Sequence, residues 1–344
     1  MQATLVQQLQ VAGVTPEQVH VMHVVKGDSQ PAWFVSVERH GGGGQLRRHA
    51  ALLRSLVNTL RAAPPRAIYA RDAITIQVAF VARRIARRHV PIVFDCRGDI
   101  VAEAELRGTT RPRLGLLRRV QTRAWRRADR VMTVSSRLAL RIEEVACGDV
   151  VVVPNLQPRT LTPVESMPAR PLVVFAGGAQ AWQDSDRVVA QLGVLSSCGI
   201  DVEVVSEDAG LRERASKAGF ASSVGDRAHV LRRLQAATGS WMVRADAAAN
   251  SVASPVKLGE ALAAGAIVIG SRATWEHMDR LTADGLATQV AEDGNLTELA
   301  EFLYEVWREG GAGRERRLAT VGKNWTLAAH GDHLRWFFGI DGAS

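Results

Sequence analysis

The stretch from Gly239 to Gly270, GSWMVRADAAANSVASPVKLGEALAAGAIVIG, decides how this chain is read. Residues 241–243 are a short apolar run, expected as a strand that ends at Arg244. A loop of small residues follows, and Ser254-Pro255-Val256-Lys257 opens a helix that carries Glu260. Ser254 is expected to cap the free amides. Pro255 is expected at the first helical position, where its φ is already set and no donor is lost. Residues 261–265 are small enough for close packing, and residues 266–269 return as a buried strand.

The chemistry of that helix start favours an anion. Free amides and the positive end of the dipole face whatever lies in front of the helix, and Lys257, one turn in, adds a full charge. Glu260, three residues on, shares roughly the same face. A carboxylate there is placed to accept two ribose hydroxyls while the lysine holds phosphates. Read from the residues alone, this is a nucleoside diphosphate site in a crevice between two α/β layers.

Outward from this unit, strands and helices alternate. Residues 1–13 read as an amphipathic helix and 20–25 as a strand. Gly41–Gly44 precedes no G-K-[ST] and reads as a surface loop. A helix is expected over 46–63, ended by Pro64-Pro65, then a strand over 67–70, a helix over 73–89 and a strand over 91–95. Strands 131–134 and 150–153 flank a helix over 137–145 that Ser135-Ser136 caps. The proline-rich residues 154–171 read as a linker. Beyond it come strand 172–175, helix 184–198, strand 202–206, helix 211–218, a loop over 221–230, and helices 275–281 and 296–309. Such a pattern implies parallel sheets with right-handed crossovers.

Ligands of open α/β sheets bind at the carboxyl ends of the strands. The candidates there are Arg71, Asp72, Asp95, Arg97, Asp99 and Glu103 in the first half, suited to hydroxyl binding or to a structural ion pair. In the second half, Gly177 and Gly178 lack the G-x-G-x-x-G spacing but still let a phosphate or sugar approach the backbone closely.

Composition bounds the rest. A length of 344 residues is comfortable for two domains of about 150 each. No apolar run reaches the length of a spanning helix and no signal-peptide pattern opens the chain, so a cytoplasmic location is expected. Cys96, Cys147 and Cys198 read as reduced packing residues, with neither a disulfide framework nor a zinc site. The net charge of +8 favours anionic partners: sugar nucleotides, a lipid headgroup surface or nucleic acid. Residues 107–130, RGTTRPRLGLLRRVQTRAWRRADR, are the most basic part, with Leu114, Leu117, Val120, Ala124 and Ala128 at helical spacing. Two readings stay open for them: a solvated helix with one core face, or docking on an anionic membrane. Nucleic-acid binding asks for interleaved aromatics, and Trp125 alone does not supply them.

The run R-x-x-x-x-x-N-x-V-A-S-P-x-K-L-x-E-x-L-A-A-G-x-x-V-I, from Arg244 to Ile269, resembles the donor-site signature of family 4 (group 1) glycosyltransferases of the GT-B type. Fragments at 68–72, 93–98, 131–135, 152–155 and 174–178 line up in the expected order, so that the resemblance spans about four fifths of the chain. It implies an α/β fold of two Rossmann-like, doubly wound parallel-sheet domains facing a central cleft. The N-terminal acceptor-side domain would be 1–156, without the usual first strand. A linker over 157–171, a nucleotide-sugar-binding domain over 172–326 and a closing helix over 327–344, anchored by Trp336-Phe337-Phe338, would follow.

The implied activity is retaining, metal-independent transfer of a sugar from a nucleoside diphosphate sugar to a hydroxyl acceptor, which is a small molecule, a glycan or a lipid-linked compound. No cofactor, metal or nucleic acid is called for. Donor contacts fall to Gly177, Gly178, Arg244, Ser254, Pro255, Lys257 and Glu260. Acceptor-side contacts fall to Arg71, Asp72, Asp95 and Glu103, and catalytic contacts to Arg97, Asp99 and Lys257. Many members carry two glutamates eight positions apart, and Val252 stands in the place of the first. Gln180, Trp182 and Gln183 stand where members often place an Arg and a Lys, leaving Arg244 and Lys257 as the diphosphate cations. The competing readings are a non-catalytic nucleotide-sugar-binding protein and a sugar-nucleotide epimerase or phosphorylase on the same fold.

Overall fold

A computed structural model describes residues 8, 11–12, 45–62, 64–65, 67–163, 167–180, 183–291 and 294–338. The readings of residues 13–44, of a missing first strand and of Trp182 fall outside the described residues, as does most of the helix read over 1–13. The chain divides into two compact units. One comprises residues 1–154 and 330–344, the other residues 155–329.

The described part of the first unit holds a parallel sheet ordered β1 (Ile68–Ala70), β2 (Ile92–Cys96), β3 (Arg130–Thr133) and β4 (Asp149–Val152). Strands β1 and β2 are buried throughout and mainly apolar, as parallel strands covered by helices are. Helix Gln45–Ala62 packs on helix Thr75–Ala86 through Leu52, Leu56 and Leu60, all fully buried. The basic segment forms helix Arg111–Arg127. Only its second half has a core face, made by Gln121, Ala124 and Trp125. Leu114 and Leu117 are half-buried, and Leu116 is 62% exposed.

The tail is a 3-10 turn, Leu327–His330, followed by helix Gly331–Phe338. That helix lies on the first unit. Phe337 meets Tyr69 edge-on at 6.3 Å, and Arg130 donates to the carbonyl of Trp336 at 2.7 Å while lying over its ring.

The second unit carries six parallel strands in the order β10 (Ala287–Gln289), β9 (Ile267–Gly270), β8 (Gly239–Trp241), β5 (Leu172–Ala176), β6 (Asp201–Val205), β7 (Ala221–Ser223). This is the doubly wound order, with β5 and β8 adjacent where the winding reverses. One face of the sheet buries Val188, Leu192 and Leu195 of helix Ser185–Ser197 together with Leu303 of helix Leu296–Arg308.

Two helices relevant to the site, Arg227–Ala236 and Val256–Ala263, are tied at their carboxyl ends by Arg314. Its buried guanidinium donates to the carbonyls of Ala237 and Ala264. A cation there complements two negative dipole ends, although burial, and then neighbouring Arg317, lower its pKa to about 10.

Three readings of the sequence are corrected. Residues 221–230 are not a loop: they hold edge strand β7 and the start of helix Arg227–Ala236. The helix placed at 275–281 is Met278–Ala283, and Trp275 instead packs against Trp325 at 5.5 Å. The linker reading of 157–171 also changes, because its first residues are strapped along the second unit. Gln157 accepts from the amide of Leu327 at 2.8 Å, and Leu161 donates to the Ala263 carbonyl at 2.7 Å.

Candidate functional site

At the carboxyl end of β5 the chain turns through Gly177 and Gly178, and the ends of β5 and β6 border a cavity of about 630 Å³. Gly177, Gly178, Ser206, Glu207, Gly225 and Lys257 are among its lining residues. Both glycines are held by their amides. Gly177 donates to the Val205 carbonyl at 3.1 Å, and Gly178 donates to Gln183 Oε1 at 2.8 Å. A Cβ on Gly177 would stand 2.8 Å from Gln183 Nε2, so the turn admits no side chain while Gln183 supports it.

Lys257 reaches this cavity from the opening turn of helix Val256–Ala263, and its Nζ lies 3.0 Å from Glu260 Oε2. Glu260 is only 1% exposed. Its Oε1 accepts from Arg227 Nε at 2.9 Å, and Arg227 in turn donates to Gln157 Oε1 at 2.6 Å. Oε2 is buried, and Lys257 Nζ is its partner among the described residues. Arg227, Lys257 and Glu260 thus place two cations around one carboxylate, with one positive charge in surplus among these three, while Glu207 and Asp208 line the same cavity.

Arg244 follows β8. It donates to Asn250 Oδ1 at 3.2 Å, and among the described residues no carboxylate pairs with it. Burial lowers its pKa to about 10, which leaves it charged at neutral pH. Arg244 does not line the cavity that Lys257 lines.

Ser254 and Pro255 require correction. Pro255 is the N-cap, with an extended ψ of 129°, and no side chain caps the helix. The Ser254 hydroxyl accepts instead from the Asn155 amide at 3.0 Å, while Asn155 Nδ2 donates to the Ser254 carbonyl at 2.6 Å. Ser254 therefore anchors the helix start to the strap. Val252, in the place of the expected glutamate, is fully buried.

In the first unit, the residues expected on the acceptor side are largely spent on structure. Asp95 has no exposed surface. It accepts from the Tyr69 hydroxyl, pairs with Arg97 Nε at 2.5 Å, and lies 3.8 Å from Arg71 Nε. Burial and then Asp95 hold the Tyr69 phenol well above its ordinary pKa. For Arg97, burial opposes the charge most strongly, but Asp95 and Tyr69 together outweigh it and the pKa is raised.

Asp99 caps helix Ile100–Leu106 by accepting from the amides of Val101 and Ala102, and it also pairs with Arg141 at 3.0 Å. Asp72 accepts from the amide of Ile74 at 2.7 Å and the hydroxyl of Thr75 at 2.5 Å. Glu103 is half-exposed, and burial raises its pKa. The structure therefore gathers Arg71, Asp95 and Arg97 into one cluster. It gives Asp99 the work of a helix cap and Asp72 that of bracing the turn that leads into helix Thr75–Ala86.

The sequence reading gave no site role to Arg227, Gln157 or Asn155, although Asn155 ends one of the fragments that carry the resemblance; their partners lie 33, 70 and 99 positions away.

With this geometry in view, comparison with solved structures defines the class: the fold is that of GT-B glycosyltransferases. WaaG, a glycosyltransferase involved in lipopolysaccharide biosynthesis, is similar at TM-score 0.64 and 16% identity, over 99% of this chain and 96% of that one. Anabaena HepE in complex with UDP-glucose is similar at 0.63 and 16%, over 88% and 85%. Sucrose-phosphate synthase from Thermosynechococcus elongatus is similar at 0.62 and 14%, over 85% and 79%. A search of curated proteins finds no match. Residues 3–156 match the model of the glycosyl transferase 4-like domain, so the family likeness rests on the N-terminal part of the chain and on the shared GT-B fold.

Proposed function

We propose that this chain is a retaining glycosyltransferase that moves a sugar from a nucleoside diphosphate sugar to a hydroxyl acceptor, using its own cations in place of a bound metal. The observation that carries the reading is the Lys257–Glu260 pair beside the glycine turn, a buried carboxylate oxygen whose partner among the described residues is the cavity-lining lysine. A ribose hydroxyl can take the place of that lysine on Oε2. Lys257, Arg244 and the first amides of helix Val256–Ala263 would stabilise the charge on the departing diphosphate, the main contribution expected of a fixed electrostatic site. The likeness to HepE in complex with UDP-glucose supports a nucleotide-sugar donor.

Incubation with UDP, GDP, ADP and dTDP, read by thermal shift, tests the reading directly. A ligand at about 100 times its dissociation constant adds roughly 2.7 kcal/mol. Release of nucleoside diphosphate from a matching donor and a crude acceptor extract, unaffected by a chelator and with the donor's anomeric configuration kept in the product, completes the test. The buried Val252 favours one second reading, a nucleotide-sugar-binding protein without catalysis. Binding without product release would select it.

Helix Arg111–Arg127 suits an anionic leaflet, and the cytoplasmic face of an inner membrane is the proposed place of work. Arg111, Arg113, Arg119, Arg123 and Arg126 are exposed beside the exposed Leu116, and no acidic residue interrupts them. No helix among the described residues is long and apolar enough to cross a membrane. Co-sedimentation with anionic but not neutral vesicles is the expected result.

A further inference from the structure

Glu260 is held by two cations that differ in what else they touch. Lys257 lines the cavity, whereas Arg227 is locked between Glu260 Oε1 at 2.9 Å and Gln157 Oε1 at 2.6 Å. Gln157 belongs to the strap that Asn155 fastens to Ser254. One cation is therefore fixed from two sides, and the other can exchange its partner.

Resting on the nucleotide-donor reading above, we propose that Arg227 is a positioning residue for donor binding. It keeps the buried Glu260 compensated and oriented while Lys257 leaves the carboxylate for the donor's diphosphate. A buried carboxylate stripped of its last cation is costly, so without Arg227 the lysine would stay on Glu260 and the diphosphate would lose its cation. With Arg227 in place, Arg227 and Glu260 form a neutral pair, and the surplus charge of Lys257 is available to the ligand. Arg227 itself has no need to touch the donor.

The test measures dissociation constants, at fixed salt, for whichever of UDP, GDP, ADP or dTDP binds the unaltered chain. Arg227→Met should weaken binding by about tenfold or more, and Arg227→Lys by less than about threefold. The double variant R227M/E260Q should bind no more weakly than E260Q alone, because the neutral amide no longer needs the cation. A structural role alone would instead multiply the two losses and lower the melting temperature of R227M and R227K alike. Binding by R227M within twofold of the unaltered chain, or losses that simply multiply in the double variant, overturns the proposal. Failure of all four nucleotides to bind the unaltered chain overturns the donor reading itself, and this inference with it.

Discussion

Asn155 and Ser254, 99 positions apart, hold each other twice: amide to hydroxyl at 3.0 Å and side-chain amide to carbonyl at 2.6 Å. That double link fixes the start of helix Val256–Ala263 from outside the helix. It anchors the helix start while leaving the first helical amides uncapped by any side chain. The aim of Lys257 thus depends on a segment that looks, in sequence, like a linker.

Lys257→Ala should remove a charge-assisted contact worth roughly 1.5–3 kcal/mol, about 10- to 100-fold in kcat/KM with the donor varied. A fall of less than twofold would remove Lys257 from the diphosphate site.

Gly259→Ala and Gly115→Ala should have opposite signs, although both replace a helical glycine. At 259 a Cβ would lie 2.3 Å from the Asn155 carbonyl oxygen and 3.0 Å from Leu156 Cα, both backbone atoms that cannot swing away. Overpacking there should cost about 1–3 kcal/mol. At 115 nothing lies within 4 Å, and alanine in a helix interior should gain about 0.5–1 kcal/mol. Thermal melts of the two variants, run beside the parent, decide the matter, and equal shifts would contradict the strap geometry.

Phe337→Ala should destabilise the first unit by about 3–5 kcal/mol, since the ring is fully buried against Tyr69. Urea titration would show it as a lower midpoint. An unchanged midpoint would mean that the tail helix does not contribute to the core.

The three cysteines should separate by reactivity. Burial pushes the Cys96 thiol up to about 12, while Cys147 is exposed. A thiol reagent at pH 8 should label Cys147 promptly and Cys96 only after denaturation. Because the unfolded thiol ionises near pH 9, Cys96 favours the folded state fully below that pH, and its contribution is lost between about 9 and 12. Stability that rises over that interval would contradict the assignment.

How far the sequence is legible varies with the kind of element. The interior strands β2, β5 and β9 are mainly apolar runs, and such runs have few alternatives to a covered parallel sheet. The edge strands β7 and β10, ASS and ATQ, carry no such signal and exist because β6 and β9 offer them a ladder. Helix Gly310–Asn324, opened by glycines and rich in charge, is likewise absent from the sequence reading. Arg314 and Arg317 secure it by reaching the carbonyls of Ala237, Ala264 and Gly265.

The same division runs through the site. Lys257 and Glu260 are legible because helical spacing alone puts positions three apart on one face. Asp95, Asp99 and Ser254 carry the right chemistry at the right strand and helix ends, but burial turned them inward to pair with groups of the fold.

By itself, then, the sequence determined the alternation of strands and helices and the lysine and carboxylate at one helix start. These follow from local periodicity and short spacing. Only the tertiary structure decided that Arg227, Gln157 and Asn155 converge on that helix. Charge compensation and hydrogen bonding of buried groups act through space, between residues that no local pattern links.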